Sequence, residues 1–385
     1  REKTVIGSKE NNLAALDMAK KSIVLLKNKS SLLPIKKKGQ KITLIGHLAN
    51  DNNSPLGNWR GAGDSNTAVT VLEGLEDYGN NSITYKKGVD LYYGETNFHN
   101  RVKLNHTDKT GFKEAKLAAK SADIVVMVLG EEGFQSGEGR SRTELGLPGL
   151  QQELLEEVYK INKNIVLVLM NGRPLNLTWA DENIPAILET WHLGTQSGNA
   201  IAEVLYGDYN PSGKLTMSFP RNVGQVPIYY NYKKTGRPGA SSAEVTRSTY
   251  ADVENSPLYP FGYGLSYTTF EYSELTISSN EISRNDVIKA SVKITNTGKA
   301  KGKEVVQMYI RDHFGSLARP VKELKGFELV ELNAGETKEV SFEIDNSSLI
   351  YYTANDRWES ETGKFSVFIG GDSDVKYNKS FDLIN

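Results

Sequence analysis

Two periodicities divide the chain. In the first half, short unbroken apolar runs alternate with stretches of helical spacing; towards the end, apolar positions recur at every second residue. The clearest runs, Asp123-Ile-Val-Val-Met-Val-Leu129 and Asn164-Ile-Val-Leu-Val-Leu-Met170, predict strands buried on both faces, as in parallel sheets. Between them Leu150, Leu154, Leu155, Val158 and Ile161 have helical spacing, with Pro148 near the first turn. Upstream, Lys41 to Gly46 predicts a first core strand, Val69 to Tyr78 a short helix, Ser82 to Tyr85 a short strand and Phe112 to Ala122 another helix. Residues 10 to 26 predict one long helix whose end, Ser22 to Leu26, is apolar all round and therefore buried. Pro185 to Trp191 reads as a strand and Asn199 to Tyr206 as a helix. This order predicts an α/β class domain, a layered sandwich with a largely parallel sheet, over residues 1–220.

Residues 221–258 form a connecting segment rich in Tyr, Ser, Gly and Arg, whose tyrosines are expected to pack it onto its neighbours. From Tyr259 the period is two: Ile288 to Thr295, Val305 to Ile310, Lys322 to Leu329, Lys338 to Ile344 and Lys364 to Ile369 alternate, separated by Gly, Asn and Asp turns. Residues 259–385 thus predict a β-sandwich of about 120 residues. It holds no constellation of reactive groups, so a structural role is expected.

The first-half pattern has one anomaly. Gly130 to Pro148, G-E-E-G-F-Q-S-G-E-G-R-S-R-T-E-L-G-L-P, joins a strand to a helix over almost twenty residues, where a few suffice. Ligands of open α/β sheets bind at the carboxyl ends of strands, where this loop begins. It carries Glu131, Glu132, Glu138, Glu144, Arg140 and Arg142, and glycines on both sides of Glu138 let its backbone approach a bound molecule closely. The alternative is a set of solvated loop charges. A second long polar segment, His47 to Asn66, contains Trp59 among small and polar residues, in Asn58-Trp59-Arg60-Gly61-Ala62-Gly63. An indole there either stacks on a sugar or another ring, or folds back onto its own domain. His192, at a strand's end without a neighbouring acid or nucleophile, reads as a structural group, and Asn171-Gly-Arg-Pro174 as a turn.

Composition narrows the chemistry. The 385 residues suffice for two well-buried cores. Lys plus Arg at 46 and Asp plus Glu at 47 nearly cancel, against a nucleic-acid surface and in favour of a neutral partner. Without cysteine there is no disulfide framework, thiolate zinc site or thiol nucleophile, which fits the cytoplasm and a disulfide-free periplasmic protein alike. No apolar run approaches the roughly eighteen residues of a membrane span. No Walker motif or complete dinucleotide fingerprint occurs, and no cofactor or metal is expected. The start at Arg1, without Met or signal peptide, is that expected of a fragment.

Glycoside hydrolysis uses two carboxyl groups, one protonating the departing oxygen and one acting as nucleophile or activating water. One loop glutamate and one loop tryptophan fit half of such a site. A general acid needs a raised pKa, which Arg140 and Arg142 would oppose unless they point elsewhere.

Five motifs then fall together: Ser22-Ile-Val-Leu-Leu-Lys-Asn28 with Leu32-Leu-Pro-Ile35; Gly130-Glu131 through Ser136-Gly-Glu-Gly-Arg-Ser-Arg142; Leu167-Val-Leu-Met-Asn-Gly-Arg-Pro174; Gly207-Asp-Tyr-Asn-Pro-Ser-Gly-Lys-Leu215; and Tyr259-Pro-Phe-Gly-Tyr-Gly-Leu-Ser-Tyr267. In this order, spanning nearly the whole chain, they resemble glycoside hydrolase family 3, most closely its bacterial periplasmic β-glucosidases. The resemblance covers the family's second and third domains and implies an α/β sandwich followed by a fibronectin type III-like domain. It implies a retaining mechanism whose aspartate nucleophile comes from an N-terminal (β/α)8 barrel, which does not precede Arg1. Glu138 matches the acid/base position, with Glu131 and Glu132 as lesser candidates. Trp59 resembles the tryptophan that stacks on the sugar, and Arg142 of the same motif is assigned with it to substrate binding. The implied partners are a β-linked oligosaccharide or glucoside, the barrel in cis or trans, and a second copy of the chain as a candidate homodimer; the implied location is periplasmic or secreted. A non-catalytic carbohydrate-binding or scaffolding module is the competing expectation, and an oligomerisation module a third.

Overall fold

The computed structural model describes residues 5–61, 63–238 and 245–385. Arg1 to Thr4, Ala62 and residues 239–244 lie outside the described residues; the last fall in the connecting segment read from the sequence. The chain forms two compact units, Arg1–Gly213 and Lys214–Asn385.

The first unit is built on a six-stranded sheet. Its strands are β1 (Val24–Asn28), β2 (Lys38–Ile45), β3 (Asn80–Lys86), β4 (Ile124–Gly130), β5 (Ile165–Met170) and β6 (Ala186–Glu189). Their order is β1-β6-β5-β4-β2-β3, parallel throughout except for β1, which runs antiparallel to β6 at one edge. Every residue of β4, β5 and β6 is buried, which accounts for their unbroken apolar runs. The helices are α1 (Lys9–Ser22), α2 (Val71–Tyr78), α3 (Phe112–Lys120), α4 (Gln151–Ile161), α5 (Thr178–Asn183) and α6 (Ser197–Leu205). Helix α2 starts in a capping box, Thr70 taking the N–H of Glu73 while the Glu73 side chain takes that of Thr70.

One sequence expectation is corrected here. The apolar end of the helix predicted over residues 10–26 is not helical: α1 stops at Ser22, and Val24–Asn28 is the antiparallel edge strand. A side-chain run buried all round has no helical face to lose, and pairing with β6 satisfies its backbone equally well.

The second unit packs two sheets around an apolar core that includes Ile294, Val306, Val340, Phe365 and Phe381. Strands β7 (Phe270–Tyr272), β8 (Thr276–Ile277), β10 (Ile288–Asn296) and β13 (Thr337–Ile344) form one sheet; β9 (Glu281–Ile282), β11 (Gly302–Asp312), β12 (Glu323–Leu332), β14 (Gly363–Gly370) and β15 (Asn378–Leu383) form the other. The alternation read in the sequence is literal in β10, where buried and outward residues alternate from end to end.

The second unit begins at Lys214, a few residues before position 220, the sequence boundary, and the backbone of Leu215 and Phe219 is hydrogen-bonded to Tyr263 and Tyr259. The connecting segment belongs to the second unit: Tyr230 stacks on Phe261 (4.3 Å) and meets Tyr309 edge-on (5.9 Å).

Candidate functional site

Because β2, β4, β5 and β6 are parallel, the segments that follow them leave the sheet at the same edge. The long polar segment after β2, the long loop after β4, Asn171–Pro174 after β5 and Thr190–Gln196 after β6 therefore gather there. The loop after β4 departs at Gly130, where no other residue fits: φ is +145°, and a Cβ would lie 2.0 Å from the carbonyl oxygen of Met170.

Gln151, in the first turn of α4, fastens both ends of that loop. Its side chain accepts the N–H of Gly130 (3.0 Å) and donates to the carbonyls of Gly130 (2.7 Å) and Pro148 (2.9 Å). Inside the loop, Glu131 is wholly buried and is the hub of an ionic cluster. Arg142 Nη1 lies 2.7 Å and Arg173 Nε 2.9 Å from its Oε1, and the N–H of Gly172 donates to Oε2 (3.3 Å). The remaining donors of the two guanidiniums hold the loop itself: Arg142 binds the carbonyl of Gly146, and Arg173 those of Gln135 and Arg140. Glu132 caps the short turn at Gly133–Gln135, taking the N–H of Phe134 (2.7 Å).

The tip of the loop is different. Glu138 is exposed between glycines. Gly137 has φ +102°, and a Cβ there would meet the Asn58 amide at 2.2 Å. Asn58 in turn donates to the carbonyl of Ser136. The residues just before Trp59 and Glu138 are thus in contact, which places both side chains on adjoining loops, and Trp59 is 69% exposed. Arg60, next to it, lies over the ring of Phe134 (4.6 Å). Neither loop arginine is turned to Glu138 in its hydrogen bonds: Arg140 donates to the carbonyl of Phe98, and Arg142 to Glu131 and Gly146.

Of the three candidate acids, Glu131 and Glu132 are sealed from solvent and only Glu138 is open. Burial pushes the Glu132 carboxyl up to about 6. Arg142, read as a substrate contact, is largely buried and engaged in holding the loop.

Sequence reasoning passed over Arg173 and Glu189, and it read His192 as a structural group. Arg173 stands in what read as a plain turn. Glu189, at the end of β6, accepts hydrogen bonds from the Trp191 N–H (2.9 Å) and the Asn171 amide (3.0 Å), and burial pushes its carboxyl up to about 8. His192 sits with Nε2 3.4 Å from the carbonyl of Glu131, its pKa lowered by burial. The available signal was a glutamate inside the otherwise apolar Pro185–Trp191 run. No group of three or more His, Cys, Asp or Glu able to hold a metal occurs among the described residues.

Two family models match: the glycosyl hydrolase family 3 C-terminal domain over residues 23–267, and a fibronectin type III-like domain over residues 304–373. The chain belongs to glycosyl hydrolase family 3. It is similar to the periplasmic beta-glucosidase of Salmonella typhimurium, 47% identical over 380 residues that cover 96% of this chain and 50% of that protein. It is likewise similar to a beta-xylosidase of Formosa agariphila, 40% identical over 98% of this chain and 50% of the other. Among solved structures, a beta-glucosidase from Listeria innocua in complex with glucose superposes with a TM-score of 0.90 at 35% identity, over 100% of this chain and 51% of that one. The chain thus spans about half the length of these relatives.

Proposed function

We propose that this chain is the C-terminal part of a retaining β-glucosidase that removes terminal β-D-glucosyl residues from oligosaccharides or glucosides. Glu138 is its acid/base and Trp59 its stacking surface, and a (β/α)8 barrel in cis or trans supplies the nucleophile. The observation that carries this reading is the contrast within one loop: a buried base clamped by two arginines, and an exposed carboxylate at the tip beside an exposed indole. A retaining glycosidase holds its two carboxyl groups about 5–5.5 Å apart, so the loop must present Glu138 in a fixed place to a nucleophile on another domain. Glu138 first protonates the departing glycosidic oxygen and then, as carboxylate, takes a proton from the water that releases the sugar. Arg142 acts here by holding the loop. The likeness to relatives of twice this length supports a barrel outside these 385 residues, and that to a periplasmic relative supports a periplasmic location.

The test is hydrolysis of an aryl β-glucoside by this chain alone and mixed with a family 3 barrel domain, each with wild type and Glu138→Gln. Activity that requires the barrel and falls about 10²-fold or more in the variant supports the reading. Equal activity of the variant removes Glu138 from its role. Saccharide binding lost in Trp59→Ala but indifferent to Glu138→Gln, with no hydrolysis in the docked mixture, favours the binding-module alternative.

A further inference from the structure

The second unit carries a cleft of its own, about 770 Å³ in volume, within the usual range of small-molecule sites. Three tyrosines, Tyr263, Tyr272 and Tyr377, and three carboxylates, Glu274, Asp372 and Asp374, are on its walls. Two of the rings are held in place by their hydroxyls. Tyr377 is about half exposed, yet its hydroxyl donates to Glu274 Oε1 (2.8 Å), which also receives Lys379 (3.1 Å). Tyr272 donates to Glu304 Oε1 (3.0 Å), and Glu304 is ion-paired with Lys214 (3.0 Å). A ring fixed in this way offers its face to a ligand with little further loss of freedom.

The charges narrow the ligand. Lys379 is taken up by Glu274 and Lys376 by Asp374, so these lysines do not present an anion site. Asp372 Oδ1 accepts the N–H of Asp374 (2.8 Å), and burial raises the pKa of this carboxyl, which disfavours its charged form. Ring faces beside carboxylate acceptors suit a ligand with C–H faces and hydroxyl edges and no net charge.

We propose that this cleft is a saccharide-binding site of the second unit, in which a short neutral oligosaccharide stacks on Tyr377 and donates hydroxyls to Asp372. The class of ligand follows from the cleft alone; the choice of β-linked glucose disaccharides as probes rests on the function proposed above.

The experiment is calorimetric titration of the whole chain with cellobiose and with laminaribiose. It uses wild type, Trp59→Ala, and Trp59→Ala combined with Tyr377→Ala or with Tyr377→Phe. Trp59→Ala is expected to keep a weak binding event, Tyr377→Ala to weaken that event about tenfold or more, the equivalent of 1.4 kcal/mol, and Tyr377→Phe, which keeps the ring, to retain most of it. Ring signals of labelled tyrosines in the wild-type chain give a reading without substitution: the sugar should shift those of Tyr377 and Tyr263. No binding in Trp59→Ala, binding indifferent to Tyr377→Ala, or unshifted tyrosine rings each overturn the proposal. These results leave the role of Glu138 untouched, just as a fully active Glu138→Gln variant would leave the cleft standing.

Discussion

Glu131 in the first unit and Glu304 in the second are both carboxylates withdrawn from water, and their partners differ. Glu131 is met by two guanidiniums and a backbone N–H. Glu304 is met by one ammonium and a tyrosine hydroxyl, and burial raises its pKa. A guanidinium has donors left after pairing with a carboxylate, in fixed directions, whereas an ammonium is a compact charge on a flexible stem. Arg142 and Arg173 use those extra donors on carbonyls of the loop that carries Glu138. Lys214 uses its one further contact on the carbonyl of Gly264, just ahead of the sandwich strands. The first cluster is therefore a frame for the loop that carries Glu138, and the second is a fastening.

On this comparison, removing Glu131 should do the most damage. Glu131→Ala leaves two guanidiniums without their shared partner and is expected to lower stability by about 3–5 kcal/mol, read as a drop in the denaturant midpoint. A loss below about 1 kcal/mol would mean that the cluster frames nothing. The same loop should show the opposite at its tip: Glu138→Gln loses about 10²-fold or more of barrel-dependent hydrolysis while its unfolding midpoint stays put, since an exposed substitution moves stability by no more than about 0.5 kcal/mol.

Glu189 sharpens the comparison through pH. Its carboxyl titrates at about 8 in the fold against 4.5 ordinarily, so between these values the folded chain holds a proton that the unfolded chain has released. The stability this contributes is complete below about pH 4.5 and is lost as pH rises through about 8, at up to about 1.4 kcal/mol per pH unit. Melting curves from pH 5 to 8 should fall less steeply for Glu189→Gln than for wild type; identical slopes would place the proton elsewhere. The smallest effect belongs to the surface: breaking the exposed Lys338–Glu328 pair (3.2 Å) by Lys338→Ala should shift the midpoint by less than about 0.5 kcal/mol.

How much of this could be read from sequence depended on whether a residue's environment shows in its neighbours. The apolar runs at Ile124–Gly130 and Ile165–Met170 and the alternation at Ile288–Asn296 state their own burial, and both layers followed from them. Val24–Asn28 was misread because a short segment apolar on all sides fits a helix and a strand equally. Glu138 and Trp59 stood out by their company. Arg173 did not, because its partner Glu131 is 42 residues away in the chain and meets it only when β4 and β5 lie side by side. Glu189 was visible as a charge in an apolar strand, but its proton follows from tertiary burial alone.

The Gln151 bridge has a consequence for how this loop can change. By joining Gly130 to Pro148 it closes the segment between them into a ring set on the sheet, with strand and helix tied together at one point. Lengthening a flexible loop costs only about 0.6 kcal/mol per doubling. Residues inserted at the exposed Glu138–Gly139 tip would therefore alter how far the glutamate reaches while the Gln151 bridge keeps the loop's ends in place. Such a ring is an exchangeable part, whose rim can change in length while its base stays fixed to the sheet.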